Sequence, residues 1–232
     1  MKALVLMHGD WGPPGVLGEW LEARGIPYDL HRTYVGAPMP GVAGYGFVAS
    51  LGSNRNPNDR HDPAVAAELL LLRDAIGEDV PVLGLCFGGQ ALAAALGADV
   101  ETAPEPELGW TTIETDDPDR IPPGPWLQWH FDRFAVPSGA TELARTQAAP
   151  QAFRHGRHLG VQFHPESTVE IVARWAAADA ERLAALGLDG DALIAATAEQ
   201  RAAARTAAFA FFDGFLETAS EPAAPAASVR EA

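Results

Sequence analysis

The sequence predicts an α/β fold in which a doubly wound, mostly parallel sheet carries added antiparallel strands and C-terminal helices. Three observations lead there. Short apolar runs alternate with helix-like segments through residues 3–97, the rhythm of a parallel sheet covered on both faces. The stretch 101–150 is rich in turn residues, which predicts antiparallel additions, and alanine-rich helical segments close the chain. Hydrophobic residues make up 47% of the 232 positions, enough for a sizeable core.

Each element has a local reason. Residues 3–7 (ALVLM) form a short apolar strand. A helix over 14–24 follows, stopped by Gly25. Strands are expected at 28–35 and 46–51, the second ending in the polar loop 52–59. Asp62 and Pro63 read as an N-cap and the first helical position. Ala66, Leu69, Leu70 and Ile76 give that helix its apolar face, and Gly77 ends it. Residues 81–85 are a continuous apolar strand, 87–96 a helix ending at Gly97, and 159–163 another strand. Ser167 with Glu170 has the Ser-x-x-Glu spacing of a capping box. Two helices then span 169–186 and 191–216. In the second, Phe209, Phe212 and Leu216 fall at i, i+3 and i+7, the spacing of a core-facing stripe. We expect a main domain over 1–186, a helical extension over 187–219 and a disordered tail over 220–232, rich in Ala, Pro and Glu.

Charge and composition exclude several functions. Sixteen basic residues against 31 acidic ones give a net charge of −15, so most of the surface repels a phosphate backbone and nucleic-acid binding is not expected. Cys86 is the only cysteine. No internal disulfide can form and a Cys-rich zinc site has no ligands. Lys2 is the only lysine, which leaves Schiff-base and Walker-type chemistry without a candidate. No apolar run approaches the roughly 18–20 residues needed to cross a bilayer, and the N-terminus lacks the h-region of a signal peptide. A cytoplasmic protein with no membrane partner is expected.

Two motifs carry chemistry. Gly84-Leu85-Cys86-Phe87-Gly88-Gly89 lies between an apolar strand and a helix, the G-x-nucleophile-x-G pattern of a strand-to-helix elbow with cysteine as the nucleophile. Glycines two residues to either side allow strand and helix to approach closely, and the turn pushes the sulfur out at the carboxyl end of the sheet. A helix N-terminus favours the thiolate, and the Phe87 N–H points into the space where an oxyanion would form. In Gln162-Phe163-His164-Pro165-Glu166, His164 and Glu166 are two apart at a strand's end. An extended chain puts both on one face, so the carboxylate can fix one ring nitrogen and leave the other for a thiolate. Cys86, His164 and Glu166 thus supply nucleophile, base and orienter. No third ligand stands at metal-binding spacing from His164 and Glu166. The histidines at 8, 31, 61, 155 and 158 show no partner pattern and are expected to be structural or solvated.

At this point the chain resembles the class I glutamine amidotransferases, especially stand-alone members similar to the glutaminase domain of GMP synthase. The resemblance covers about residues 45–170 and rests on the two motifs above, Gln90, Glu107-Leu108-Gly109-Trp110, Trp129-His130-Phe131-Asp132 and Gln151-Ala152-Phe153-Arg154. It implies a flavodoxin-like fold and a Cys86-His164-Glu166 triad that hydrolyses the side-chain amide of glutamine through a thioester. It implies backbone oxyanion donors at Phe87 and Gly52. Gln90 and the backbone near Trp129 and His130 would hold the glutamine α-amino and carboxylate groups. No metal or organic cofactor is implied. Two departures stand out: Gly89 occupies a position usually held by histidine, and Leu51-Gly52-Ser53 replaces a Gly-Gly-Pro loop. The lost first glycine narrows the loop's freedom, and an oxyanion donor is worth about 10²–10³ in rate. The released ammonia passes either to a separate synthetase subunit or to solvent, the latter from glutamine or another γ-glutamyl amide. A degenerate binding module and a different cysteine hydrolase on the same layout are the alternatives.

Overall fold

β1 (Ala3–Met7) is buried at every position because it runs inside an eight-stranded sheet with helices on both faces. The computed structural model describes residues 1–59 and 61–222, so residues 223–232 of the expected tail lie outside the described residues. Parallel pairing joins β1 to β2 (Tyr28–Arg32) on one side and to β3 (Phe47–Ser50) on the other. β4 (Val82–Leu85) pairs in parallel with β3, and β10 (His158–Val161) in parallel with β4. β9 (Pro150–His155), β8 (Thr141–Arg145) and the two-residue β6 (Glu114–Thr115) add antiparallel strands, giving the order β2-β1-β3-β4-β10-β9-β8-β6. β5 (Val100–Thr111) and β7 (Trp126–Phe134) form a separate antiparallel ribbon.

The period of two along β1 divides the core. Ala3, Val5 and Met7 pack with Leu17 and Trp20 of α1 (Gly15–Ala23) and with Phe211, Phe212 and Phe215 of α6 (Gly190–Ala219). Leu4 and Leu6 face α2 (Pro63–Gly77) and α3 (Phe87–Ala95), through residues such as Leu69, Leu72 and Ala91. Asp62 caps α2 as the sequence predicts, accepting from the Ala64 and Val65 N–H groups.

The structure corrects four local expectations. β2 stops at Arg32 and a 3-10 turn takes Thr33–Val35, where Gly36 adopts a left-handed φ of 74°. The cap of α4 (Val169–Ala178) is Thr168, not Ser167, because Thr168 holds the extended backbone of an N-cap and accepts from the Ile171 N–H. The expected single helix 169–186 breaks at Asp179 into α4 and α5 (Ala180–Ala185), and the Asp179 carboxylate accepts from the Trp129 indole at 2.9 Å. In α6 the core stripe is Ala208, Phe211, Phe212 and Phe215, whereas Phe209 sits at its edge under the guanidinium groups of Arg24 and Arg205.

β10 starts with His158, which is buried, its Nδ1 without a partner among the described residues. Burial pushes its pKa down from 6.5 to about 4, against the pull of Asp79. The unfolded chain therefore takes up a proton that the folded chain refuses. The stability this provides is complete above pH 6.5 and is lost as pH falls towards 4, by about 2–3 kcal/mol at most. Urea unfolding at pH 7 and pH 4.5 should show a smaller acid loss in His158→Phe than in the wild type; an equal loss would refute the assignment.

Candidate active site

β4 and α3 meet at Cys86 with no loop between them. Cys86 takes φ 52° and ψ −106°, a region costly for a residue with a Cβ and typical of functional turns. The surroundings hold it there. A Cβ on Gly84 would lie 2.4 Å from the Gly88 carbonyl oxygen, and one on Gly88 would lie 2.1 Å from that of Ser50. Only glycine fits at either position. The Cys86 N–H donates to the Val161 carbonyl at 2.9 Å, which ties the elbow to β10.

The chain then runs from β10 to His164 and Glu166. His164 Nδ1 donates to Glu166 Oε1 at 2.7 Å, both residues being buried. Its Nε2 is buried and has no partner among the described residues. The backbone of Gly52 fills the angle beside the two reactive groups: a Cβ there would lie 2.9 Å from His164 Cε1 and 4.0 Å from Cys86 Cβ. Burial lowers the His164 pKa, but the Glu166 carboxylate and the Cys86 sulfur raise it more, to about 10. His164 is therefore poised as the imidazolium at neutral pH. The Trp175 ring, with its centroid 4.6 Å from that of His164, closes one side.

Cys86 Sγ lies 3.7 Å from Gln162 Nε2 and 3.9 Å from the Trp129 carbonyl oxygen. Cys86 keeps 6% of its surface open. The Gly52 N–H has no backbone acceptor among the described residues, and Phe87 opens α3, where first-turn N–H groups lack intrahelical partners. The other residues named from sequence lie close by. Gln90 Nε2 donates to the Asp132 carbonyl at 3.0 Å and to Gln162 Oε1 at 3.3 Å. Trp129 brings its backbone to the sulfur while its indole turns to Asp179. The His130 ring faces away, with Nδ1 3.1 Å from the Asp132 carbonyl oxygen and Nε2 3.2 Å from Glu107 Oε2.

Sequence reasoning passed over Gln162 as a site residue and missed a buried cluster behind Gly52 made of His8, Ser50 and Glu68. A signal was present: His8 ends an apolar strand, and Glu68 interrupts the apolar run of α2. No group of three or more metal-ligating side chains occurs among the described residues. No helix there is long and apolar enough to cross a membrane.

The fold has close counterparts. A glutamine amidotransferase from Thermotoga maritima superposes with a TM-score of 0.86 at 23% identity, covering 95% of this chain and 99% of that one. One from Methylobacillus flagellatus gives 0.85 at 24% identity, covering 94% of each. In sequence, the chain is 38% identical over 143 residues to a glutamine-hydrolysing GMP synthase of Aeropyrum pernix, spanning 57% of this chain and 26% of that protein. It is 29% identical over 217 residues to the glutamine amidotransferase-like protein YfeJ of Salmonella typhimurium, spanning 87% of this chain and 90% of that protein. The chain thus spans about a quarter of the GMP synthase it matches. The family profile described as "Glutamine amidotransferase class-I" matches residues 56–172, a stretch that contains Cys86, His164 and Glu166, and the chain belongs to that family.

Proposed function

We propose that the chain hydrolyses the side-chain amide of glutamine through a γ-glutamyl thioester on Cys86. The supporting observation is the order of contacts at His164: Nδ1 is fixed by Glu166, Nε2 has no partner among the described residues, and Gly52 lies against both His164 and Cys86.

In the proposed reaction the Cys86 thiolate attacks the carboxamide carbon, and the carbonyl π electrons move onto oxygen. The N–H groups of Phe87 and Gly52 hold that oxyanion. The imidazolium of His164 gives its proton to the leaving nitrogen, the C–N bond breaks, and ammonia departs. The neutral His164 then takes a proton from water, the hydroxide adds to the thioester, and the C–S bond breaks to release the thiolate and the γ-carboxylic acid, which gives its proton to solvent and leaves as glutamate. Glu166 orients His164 and stabilises its charged form throughout. Every bond change is assigned to side chains, backbone and water. Gln90 and the backbone at Trp129 and His130 hold the α-amino and carboxylate groups of the substrate. A synthetase subunit is the proposed ammonia acceptor, a reading supported by the GMP synthases among the relatives.

The test is to incubate the purified chain with glutamine and a panel of γ-glutamyl amides and to measure ammonia or amine release, alone and with a glutamine-like chloroketone. Glutamine hydrolysis blocked by stoichiometric labelling at Cys86 is expected. No release and no labelling would reject the reading.

A further inference from the structure

Behind the Gly52 loop, on the side away from Cys86, three polar side chains meet in an otherwise apolar core. His8 Nδ1 lies 3.1 Å from the Gly52 carbonyl oxygen, and His8 Nε2 lies 2.7 Å from Glu68 Oε2. The Ser50 hydroxyl donates to Glu68 Oε1 at 2.5 Å. All three residues are buried, at 3%, 1% and 0% exposure for His8, Glu68 and Ser50. Their neighbours on this face are Leu4, Leu6, Val48, Leu69 and Phe87, and the His8 ring meets the Phe87 ring edge-on at 4.9 Å.

Such a cluster is a poor way to stabilise a core. A buried carboxylate and imidazole lose more hydration than their mutual attraction returns unless every lone pair is matched, and apolar residues of the same volume often do as well or better. The polar chain ends on a single backbone atom, the Gly52 carbonyl oxygen. That oxygen is an acceptor, so Nδ1 carries a proton, and a second proton lies between Nε2 and Glu68 Oε2. The trans peptide is planar, so a held Gly52 carbonyl fixes the whole Gly52–Ser53 plane. Glycine would otherwise leave that plane free to rotate. The Ser50–Leu51 peptide is pinned separately, since Leu51 is buried and its N–H donates to the Leu6 carbonyl at 3.1 Å, so the Leu51–Gly52 peptide that carries the Gly52 N–H lies between two held planes. Gly52 is thus clamped from both sides with its own N–H left over.

We propose that His8, backed by Glu68 and Ser50, is a positioning residue for the reaction. It holds the Gly52 carbonyl so that the loop presents its backbone donors to the charge that develops beside Cys86. The proposal rests on the hydrolytic reading given above.

Three variants of the full chain separate the contacts. His8→Asn keeps a donor at the place of Nδ1, towards Gly52, and gives up Glu68. His8→Gln does the reverse, and His8→Phe gives up both. With glutamine as substrate, kcat falls about 10–100-fold in His8→Gln and His8→Phe, the range expected for a small misplacement of catalytic groups. KM moves by less than about threefold in both, since binding is untouched, and His8→Asn recovers kcat to within about fivefold of the wild type. A merely structural role would instead rank the variants by melting temperature. Gly52-Ser53 is the only Gly-Ser step in the sequence. Carbonyl-13C glycine with 15N serine therefore gives one NMR cross-peak, which should move in His8→Gln and His8→Phe and stay near its wild-type place in His8→Asn. No ammonia from the wild type overturns the hydrolytic reading beneath the proposal. Normal wild-type turnover with an unmoved cross-peak in His8→Phe, with His8→Phe at wild-type rate, or with His8→Asn as slow as His8→Phe overturns the His8 assignment alone.

Discussion

Cys86→Ala abolishes ammonia release and leaves the fold in place. The sulfur forms the only covalent bond to substrate in the proposed reaction, and no second thiol exists in the chain to replace it. Removing a nucleophile of this kind costs about 10⁴–10⁶ in kcat. The fold loses little, because the hydrogen-bond contacts of Sγ among the described residues are long, at 3.7 Å and 3.9 Å. Alanine keeps a Cβ at the same φ of 52°, so backbone strain is unchanged and stability shifts by about 1 kcal/mol or less. Glutamate formation and thermal melting check the two halves. Residual turnover above about 1% of wild type would remove Cys86 from the chemistry.

Glu166→Gln gives the second largest effect, a loss of about 10²–10⁴ in kcat/KM with the fold retained. Glutamine preserves the shape of the contact at 2.7 Å to His164 Nδ1 but withdraws the charge, and a neutral amide can hold the ring in the wrong tautomer. A pH signature separates this from a packing defect. Against the opposing effect of burial, Glu166 is the largest contributor raising the His164 pKa from 6.5 to about 10. A raised folded-state value means that the imidazolium adds stability in full below pH 6.5, and that this stability is lost as pH climbs towards 10. Removing Glu166 lowers the folded-state value. The alkaline decline in melting temperature should shrink in Glu166→Gln, and the basic limb of its kcat/KM profile should move towards neutral pH. An unmoved basic limb would break the link between Glu166 and His164.

The two motifs were legible because their geometry is local. Cys86 stands two positions from Gly84 and from Gly88, and His164 stands two positions from Glu166, so elbow and extended conformation set each motif. The strands and the Asp62 cap were legible for the same reason: period and capping chemistry act within a few residues. What escaped depends on distant partners. The contact between His8 and Glu68 spans 60 residues and that between Ser50 and Glu68 spans 18, and no spacing rule reaches so far. In α6, Phe211, Phe212 and Phe215 turn into the core while Phe209 and Leu216 lie at its margin, a choice set by distant partners such as Trp20, Trp126 and Phe163. Thr168 displaced Ser167 as a cap by one residue, where both hydroxyls suit the task and the backbone angle decides.

The ribbon of β5 and β7 has a further effect on the site. Within three residues of β7, the Trp129 carbonyl reaches the sulfur and the Leu127 carbonyl accepts from the His164 backbone N–H at 2.9 Å. The Cys86 sulfur and the His164 backbone are thereby gauged against one short ruler. A slip of one residue along that ruler would turn each side chain to the opposite face and offer the wrong oxygen to both. An insertion or deletion between positions 127 and 129 is therefore expected to abolish the proposed hydrolysis even with Cys86, His164 and Glu166 intact.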